Sequence, residues 1–346
     1  MTIREAVESG DLDRLVRLVD GLCSSRDWDG VIELRDRCRH ALERGLQLWP
    51  AAEFAEYRLA LEAPPSFAGP VVVAGAGRFA LGPLWEVAAS SHGWDELRDH
   101  IPAGPARTLA AHERVMRGED LTGDDSIDSG VLDLPARLMD WEPNYGLAVY
   151  RSDEADFPTP SRPHLRPVTI AEPGKAVEDS ESVEALLALA LPWREQSNGR
   201  VAVAAVEGPI EAAIAAIESG PVLAAEVDAP TAIGWMAWTG ASGGAYGRRR
   251  GSPMGRFGAW WVAAALTGVE WPPVPETFPE ELASLRWVLW EPAWAPPGWS
   301  GSIAAESREE GISWALLAVD RHREEDEAAA GKRRARRPRD GPRGNG

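Results

Sequence analysis

Apolar residues recur along the first 120 residues at the spacing of amphipathic helices. In the first such segment they lie three or four positions apart, which places them on one helical face: Leu12, Leu15, Val16, Val19 and Leu22. The same pattern predicts further helices over 28–42, 50–61, 79–91, 94–101 and 105–117. Because the connections between them are short, neighbouring helices should run antiparallel. We therefore expect residues 1–120 to form an antiparallel helical-hairpin array.

In the second half of the chain, helical segments alternate with strand-like ones. Two short valine-rich runs, 200–206 and 222–227, flank a helical segment, as in a βαβ unit with parallel strands. Residues 285–291 alternate as a strand does, and apolar segments on either side of 308–311 predict a terminal hairpin. These patterns predict an α/β domain with a mixed sheet over residues 181–320, so that the whole chain belongs to an α plus α/β class.

Two segments have a composition that is typical of linkers and tails and not of a hydrophobic core. Residues 121–180 contain an acidic, turn-rich run followed by a proline-rich one, and we expect a linker region there. Residues 321–346 hold nine basic and five acidic side chains and little to bury. This charged tail is predicted to be disordered.

The charge of the chain narrows its range of partners. There are 54 acidic and 36 basic side chains, which gives a formal net charge of −18. Because nine of the basic side chains lie in the tail, the rest of the chain is more acidic still. Such a surface repels nucleic acid and anionic membranes. We expect no nucleic-acid partner, except through the basic tail.

Hydrophobic stretches and cysteines point to the cytoplasm. The longest nearly uncharged apolar run, 257–269, has 13 residues, whereas a membrane-spanning helix needs about 20. The acidic N-terminus lacks the apolar stretch of a signal peptide. Cys23 and Cys38 make neither a disulfide framework nor the clustered spacing of a zinc site. We therefore predict a cytoplasmic protein without a membrane partner.

A glycine motif after three valines matches the spacing of a dinucleotide-binding turn. Gly75, Gly77 and Ala80 have the G-x-G-x-x-A pattern. A working turn needs a strand before it and an acidic residue about 20 positions later, at the end of a second strand. The upstream residues are helical in pattern, and so are the acidic residues at 95–99. We interpret the motif as a small-residue connection between helices and predict no cofactor.

A histidine-rich helical segment contains candidate metal ligands, but their spacing argues against a metal site. His92, Glu96 and His100 are spaced four residues apart. On a helix the two histidines would be about 12 Å apart along the axis, too far to share one ion without a second helix. We predict no metal.

The stretch 239–261 contains the strongest candidate for a binding site. Its glycines make a pliable connection between two apolar helices, and it carries three consecutive arginines. Ser252 followed by Pro253 is a typical helix start. Free N–H groups, the positive end of the helix dipole and guanidinium groups would then converge on a phosphate or carboxylate. The predicted anion-binding residues are Gly244, Gly247, Arg248, Arg249, Arg250, Ser252 and Arg256.

These arginines also have a purely structural interpretation, in which they pair with the surplus carboxylates of the chain. Tyr246, Glu226 and Asp228 are the nearest candidate bases, and none has the paired partner typical of a catalytic residue. Catalytic residues therefore stay unassigned. Most of the 16 tryptophans are expected in the core, with Trp294 and Trp299 partly exposed in a loop over the sheet edge.

Three stretches together resemble a known family: GRFALGPLWEVAASSHGW, LPWREQSNGRVAVAAVEG and GASGGAYGRRRGSPMGRFGAWW. They are similar to an uncharacterised family of proteins from high-GC actinobacteria, over most of residues 50–320. The resemblance implies a cytosolic bacterial protein and supplies no catalytic residue.

Two functions are compatible with these observations. In the first, the chain is a non-enzymatic cytosolic interaction protein, whose helical array binds a protein partner and whose arginine loop binds a small anionic ligand. In the alternative, it is an enzyme acting on a phosphorylated or nucleotide-like substrate, which the arginine loop clamps. A general base near the loop would distinguish the second from the first.

Overall fold

The computed structural model describes residues 2–170, 172–295 and 299–320. Before the first strand, the described chain is helical apart from its connections. The α-helices of this part are α1 (Ile3–Ser9), α2 (Leu12–Ser24), α3 (Trp28–His40), α4 (Trp49–Glu62), α5 (Pro65–Ala68), α6 (Leu84–Ser91), α7 (Trp94–Leu97) and α8 (Pro105–Met116). The predicted helical array is confirmed.

Local sequence signals explain where the first helices begin. The side chains of Asp11 and Asp27 accept hydrogen bonds from the third N–H of α2 and α3, which caps both helices. Along α2, Leu15 and Val19 are fully buried, as the apolar spacing predicts. Two helices are shorter than their apolar patterns indicate, since α6 begins only at Leu84 and α7 ends at Leu97.

Residues 121–180 connect the two parts of the chain and also contribute side chains to the apolar core of each. Ala148 and Tyr150 are buried in the core of the helical part. Met139 and Tyr145 are buried in the core of the sheet-containing part. The segment also carries a short antiparallel pair, β1 (Val149–Tyr150) with β2 (Ala155–Asp156).

A seven-stranded sheet forms the centre of the second part. Its strands are β3 (Arg166–Val168), β4 (Arg200–Glu207), β5 (Val222–Val227), β6 (Leu285–Pro292), β7 (Trp299–Ser300), β8 (Ile303–Ser307) and β9 (Ile312–Asp320). The order is β3-β5-β6-β8-β9-β4, with β7 also paired to β9. Strands β8 and β9 form the predicted terminal hairpin, with Ile303 opposite Leu316.

Strands 200–206 and 222–227 run in the same direction, as predicted, but they are not neighbours in the sheet. Strand β4 pairs with β9, whereas β5 lies between β3 and β6, and each of these pairings is antiparallel. Strands β6, β8 and β9 lie between β4 and β5. The helical crossover was visible in the local pattern, while the strands that fill the gap come from residues far along the chain.

Helices cover both faces of this sheet. They are α9 (Ser180–Glu195), α10 (Ile210–Ala215), α11 (Ala229–Ser242), α12 (Ser252–Thr267) and α13 (Phe278–Ser284). Along β6, Trp287 belongs to the core on the side of α9, α11 and α12, and Val288 to the core on the side of α10. Alternate residues therefore serve opposite cores, which explains why the strands are apolar throughout.

The serines at the starts of two helices do not cap them. Helix α9 is capped by Asp179, whose side chain accepts a hydrogen bond from Ser182 N, and Ser182 itself donates to the Ala265 carbonyl. Helix α12 has Gly251 as its N-cap, so Ser252 is its first residue. In both cases the serine hydroxyl donates to a group outside its own helix: Ser182 to the Ala265 carbonyl and Ser252 to the Glu86 carboxylate.

The predicted disordered tail, residues 321–346, lies outside the described residues. Within the described part, none of the helices is long and apolar enough to cross a membrane.

Candidate functional site

Two glycine-containing loops, one from each part of the chain, face each other. The first covers residues 72–83, between a short 3-10 turn (Gly69–Val71) and α6, and the second covers residues 243–251, between α11 and α12. The guanidinium of Arg248 donates to the Gly77 carbonyl oxygen at 3.1 Å. The dinucleotide-like motif therefore lies in a connection between helices, without a preceding strand, as predicted.

The glycines of the second loop allow its tight path. Gly243 has φ +76°, and a Cβ there would lie 2.2 Å from the Arg248 carbonyl oxygen. At Gly247, a Cβ would lie 2.0 Å from the Gly243 carbonyl oxygen. Substitution at either position would push the loop apart. We call residues 243–251 the arginine loop.

The end of strand β9 holds the arginine loop in place. The Asp320 carboxylate accepts a hydrogen bond from Ala245 N at 2.7 Å and another from the Ser197 hydroxyl at 2.5 Å. Ser197 in turn accepts from Tyr246 N at 2.9 Å. The loop is thus attached to the sheet through its backbone N–H groups, and the side chains of its arginines are left for other contacts.

A cleft of about 890 Å³ opens between the two loops. Its described lining combines arginine, aromatic and small side chains: Arg78, Phe79, Ala80, Leu81, Gly82, Phe157, Gln196, Trp238, Ser242, Gly244, Ala245, Tyr246, Gly247, Arg248, Arg249 and Trp299. This volume lies within the range of small-molecule sites in proteins.

Two arginines of the cleft are exposed, one from each loop. Arg78 makes no hydrogen bond or ion pair with any described residue, and Arg248 donates only to the carbonyl oxygens of Ala76 and Gly77. Neither has a carboxylate partner in the described part of the chain. The cleft therefore presents two positive charges in a chain whose net charge is −18.

The neighbouring Arg249 is engaged very differently. Its guanidinium donates two hydrogen bonds to the Glu86 carboxylate of α6, at 2.9 and 2.7 Å, and both side chains are buried. The guanidinium also lies 4.6 Å from the centre of the Phe157 ring. A buried pair in this two-point geometry joins the helical part to the arginine loop.

Glu86 is the anion on which the start of α12 converges. Its carboxylate accepts from Ser252 N at 3.1 Å, from the Ser252 hydroxyl at 2.9 Å and from the Tyr150 hydroxyl at 2.7 Å, besides Arg249. Burial acts to raise the pKa of Glu86, but the positive charge of Arg249 and these hydrogen bonds outweigh it and lower the pKa. A helix N–H group, a serine hydroxyl and a guanidinium do meet an anion here, and it is supplied by the protein itself.

Arg256 has a second internal carboxylate. Its guanidinium donates to both oxygens of Glu142, at 2.8 and 2.7 Å, and to the carbonyl oxygens of Pro135 and Arg137. Both Arg256 and Glu142 are fully buried. This pair joins α12 to the connecting segment, away from the cleft.

The structure thus distributes the predicted anion-binding residues over three places. Gly244, Gly247, Arg248 and Arg249 line the cleft. Ser252 and Arg256 lie in the interior on carboxylates, and the half-buried side chain of Arg250 is not part of the described lining. Four more contributors were missed by sequence reasoning: Arg78, Phe79, Phe157 and Trp238. Arg78 had one visible signal, a basic residue within a second glycine-rich loop.

A third buried carboxyl group lies beside this network. Glu113 of α8 is fully buried and accepts a hydrogen bond from Arg117 Nε at 2.9 Å. Burial raises the pKa of Glu113 to about 8, and the negative charge of Glu86 adds to the rise. Next to it, burial and the positive charge of Arg256 lower the pKa of His112 to about 4. The interior between α6, α8 and α12 is therefore rich in ionisable groups without being part of the cleft.

The residues considered for metal binding do not share one helix. His92 follows α6, while Glu96 lies in α7, where its carboxylate accepts from Gly93 N. No group of histidine, cysteine or acidic side chains in the described residues is arranged to hold a metal ion. Cys23 and Cys38 are free thiols in the helical core, where burial raises the pKa of each to about 11.

The chain belongs to a family of unknown function, DUF6183, whose model matches residues 3–322. No curated protein and no solved structure matches it. The match agrees with the resemblance to an uncharacterised family and assigns no activity, so that functional inference depends on the cleft.

Proposed function

We propose that this protein binds a small anionic molecule in the cleft between the two loops, and that it acts as a binding protein instead of an enzyme. One observation carries the proposal: Arg78 of the first loop and Arg248 of the arginine loop both line the cleft, exposed and without a carboxylate partner among the described residues. An anion between them would gain from both charges.

The contrast within the arginine loop strengthens this argument. The chain has many more acidic than basic side chains, and the buried carboxylates of Glu86 and Glu142 form ion pairs with Arg249 and Arg256. Arg248 lies next to Arg249 but contacts only carbonyl oxygens. A carbonyl accepts a hydrogen bond without neutralising the charge, so Arg248 keeps its capacity for an anion.

The chemistry of the lining favours binding over catalysis. Among the described lining residues there is no carboxylate, imidazole or thiol that would act as a general base or nucleophile, and Tyr246 is the one candidate base found there. Glu226 and Asp228 lie elsewhere: the Glu226 carboxylate accepts from Arg286, and Asp228 caps α11. The enzymatic alternative would show itself as turnover of a phosphorylated compound.

The proposal also covers the cellular location of the protein and its partner. The absence of an apolar spanning helix among the described residues is compatible with a cytosolic bacterial protein. We also propose that a protein partner binds to the helical part, outside the cleft. A ligand that bridges Arg78 and Arg248 would connect this part to the arginine loop.

A thermal-shift screen tests the proposal. Inorganic phosphate, sulfate and small carboxylates are compared with uncharged molecules of similar size, using the full chain at low salt. A ligand at 100 times its dissociation constant stabilises the folded state by about 2.7 kcal/mol. We expect anions alone to raise the melting temperature, with an effect that decreases as salt screens the charges.

Two double variants decide whether the cleft is responsible. Arg78→Gln with Arg248→Gln removes the exposed charges of the cleft and should abolish the shift. Arg14→Gln with Arg308→Gln removes two exposed charges elsewhere and should preserve it. If both double variants respond to anions as the parent chain does, binding at the cleft is excluded.

A further inference from the structure

We infer that the anion carries a flat aromatic ring, as a nucleoside monophosphate does, with the ring on the aromatic side chains of the cleft and the phosphate near Arg78 and Arg248. This inference depends on the proposed function and specifies the ligand class of the same site.

The apolar part of the cleft lining is mainly aromatic. Five of the described lining residues have aromatic rings: Phe79, Phe157, Trp238, Tyr246 and Trp299. Leu81 is the one large aliphatic side chain among those described. Aromatic faces offer flat apolar surface with an electron-rich centre, which suits a planar ring better than a flexible alkyl chain.

Each loop contributes an exposed aromatic residue and an exposed arginine to the cleft. In the first loop Phe79 follows Arg78 in sequence, and 67% of its surface is exposed although its ring packs 4.3 Å from that of Trp49. In the arginine loop Tyr246 precedes Arg248 by two residues and is 48% exposed. The same pair of chemistries in both loops favours a ligand with a charged end and a flat apolar end.

Two tryptophans extend the aromatic lining from the sheet side. The rings of Trp238 and Trp299 are stacked, with their centres 5.7 Å apart and their planes 25° apart. Trp238 is held by α11, and Trp299 belongs to β7, so both are anchored by regular structure. Such a rigid surface loses little entropy when a ring binds to it.

The size and charge of the protein favour a mononucleotide over a bare phosphate or a polymer. The cleft, at about 890 Å³, has room for far more than an inorganic phosphate. A long nucleic acid would have to approach a body with a large negative charge. A nucleoside monophosphate carries one phosphate, whose charge two guanidinium groups can neutralise.

Calorimetric titration of the full chain distinguishes the parts of the ligand. The probes are adenosine monophosphate, ribose 5-phosphate, inorganic phosphate, adenosine and a short single-stranded oligonucleotide. Stacking of one base predicts that adenosine monophosphate binds at least about fivefold more tightly than ribose 5-phosphate. The uncharged adenosine should bind more weakly than its monophosphate.

Variants locate the stacking surface. Phe79→Leu keeps an apolar side chain at an exposed position and should bring the affinities for adenosine monophosphate and ribose 5-phosphate closer together. Trp261→Leu removes an exposed ring outside the described lining and should leave their ratio unchanged. Trp299→Leu gives a second measurement from the opposite side of the cleft, with the same expectation as Phe79→Leu.

The outcomes separate this inference from the proposed function. If ribose 5-phosphate or inorganic phosphate binds as tightly as adenosine monophosphate, the inference of an aromatic ring in the ligand is wrong, while the proposed anion site is supported. If no phosphate compound binds, both are overturned. Tighter binding of the oligonucleotide per site would overturn the assignment of a small molecule, and equal binding of adenosine would overturn the role of the phosphate.

Discussion

The Arg249 guanidinium and the Glu86 carboxylate lie on elements 163 residues apart in sequence and form a buried pair with two hydrogen bonds. One partner belongs to the helical part and the other to the arginine loop. Because Ser252 N and the Tyr150 hydroxyl share the same carboxylate, the pair also fixes the start of α12 and the strand β1. We conclude that Arg249 positions the arginine loop, which carries Arg248 into the cleft.

Breaking this pair from one side should be costly. Either Glu86→Gln or Arg249→Gln leaves a buried charge without its partner, and we expect each to lower the free energy of unfolding by about 3–5 kcal/mol. The double variant removes both charges and should cost clearly less than the sum of the two single changes. Urea denaturation of the four proteins measures the coupling, and strict additivity would show that the two groups do not interact.

The first glycine loop offers a matched pair of substitutions. Gly75 and Gly77 both have positive φ, +80° and +65°, so alanine is strained at either position by about 1 kcal/mol. A Cβ at Gly75 meets no atom within 4 Å, whereas one at Gly77 would lie 2.7 Å from Leu84 Cγ. Gly77→Ala should therefore destabilise by a further ~1–3 kcal/mol, the range for overpacking. Equal melting temperatures for the two variants would contradict this packing.

Glu113 should make stability depend on pH. Its pKa is raised to about 8 in the folded state, so the folded protein holds a proton that the unfolded chain releases near its ordinary pKa of 4.5. The resulting stability is fully present below pH 4.5 and is lost as the pH rises through about 8. The slope for one such proton is at most about 1.4 kcal/mol per pH unit.

The variant Glu113→Gln isolates this effect, because an amide mimics the protonated carboxyl and does not titrate. The free energy of unfolding of the parent chain, relative to that of the variant, should decrease between pH 5 and pH 8. Denaturation at several pH values measures the difference. A constant difference across this range would show that Glu113 is ionised in the folded state.

Much of the local structure could be predicted from apolar spacing. The helices around Leu15 and Val19 follow from the periodicity of neighbouring residues, and so does the hairpin of β8 and β9 with its turn. The partners of β4 and β5 could not be predicted, because pairing depends on contacts between distant segments. Alternating patterns identify strands without specifying their neighbours.

The candidate site shows the same limit in its electrostatics. The sequence indicated that guanidinium groups and the start of α12 converge on an anion, and Glu86 fills that position. Any of the 54 acidic residues was a formal candidate for it. The first loop was also beyond prediction, since nothing in the motif around Gly77 indicates that Arg78 lines the same cleft as Arg248. Only the packing of the two parts brings them together.

The adjacent arginines 248 and 249 allow the most direct test of the proposed division between ligand binding and structure. The measurement is the melting temperature of the parent chain, Arg248→Gln and Arg249→Gln, each with and without inorganic phosphate at low salt. We predict that Arg249→Gln melts earlier in both conditions, because Glu86 loses its buried partner. Arg248→Gln should melt like the parent chain without phosphate and lose the rise that phosphate causes in it. An Arg248→Gln protein that melts early without phosphate, or that keeps the full rise, would contradict the anion site in the cleft.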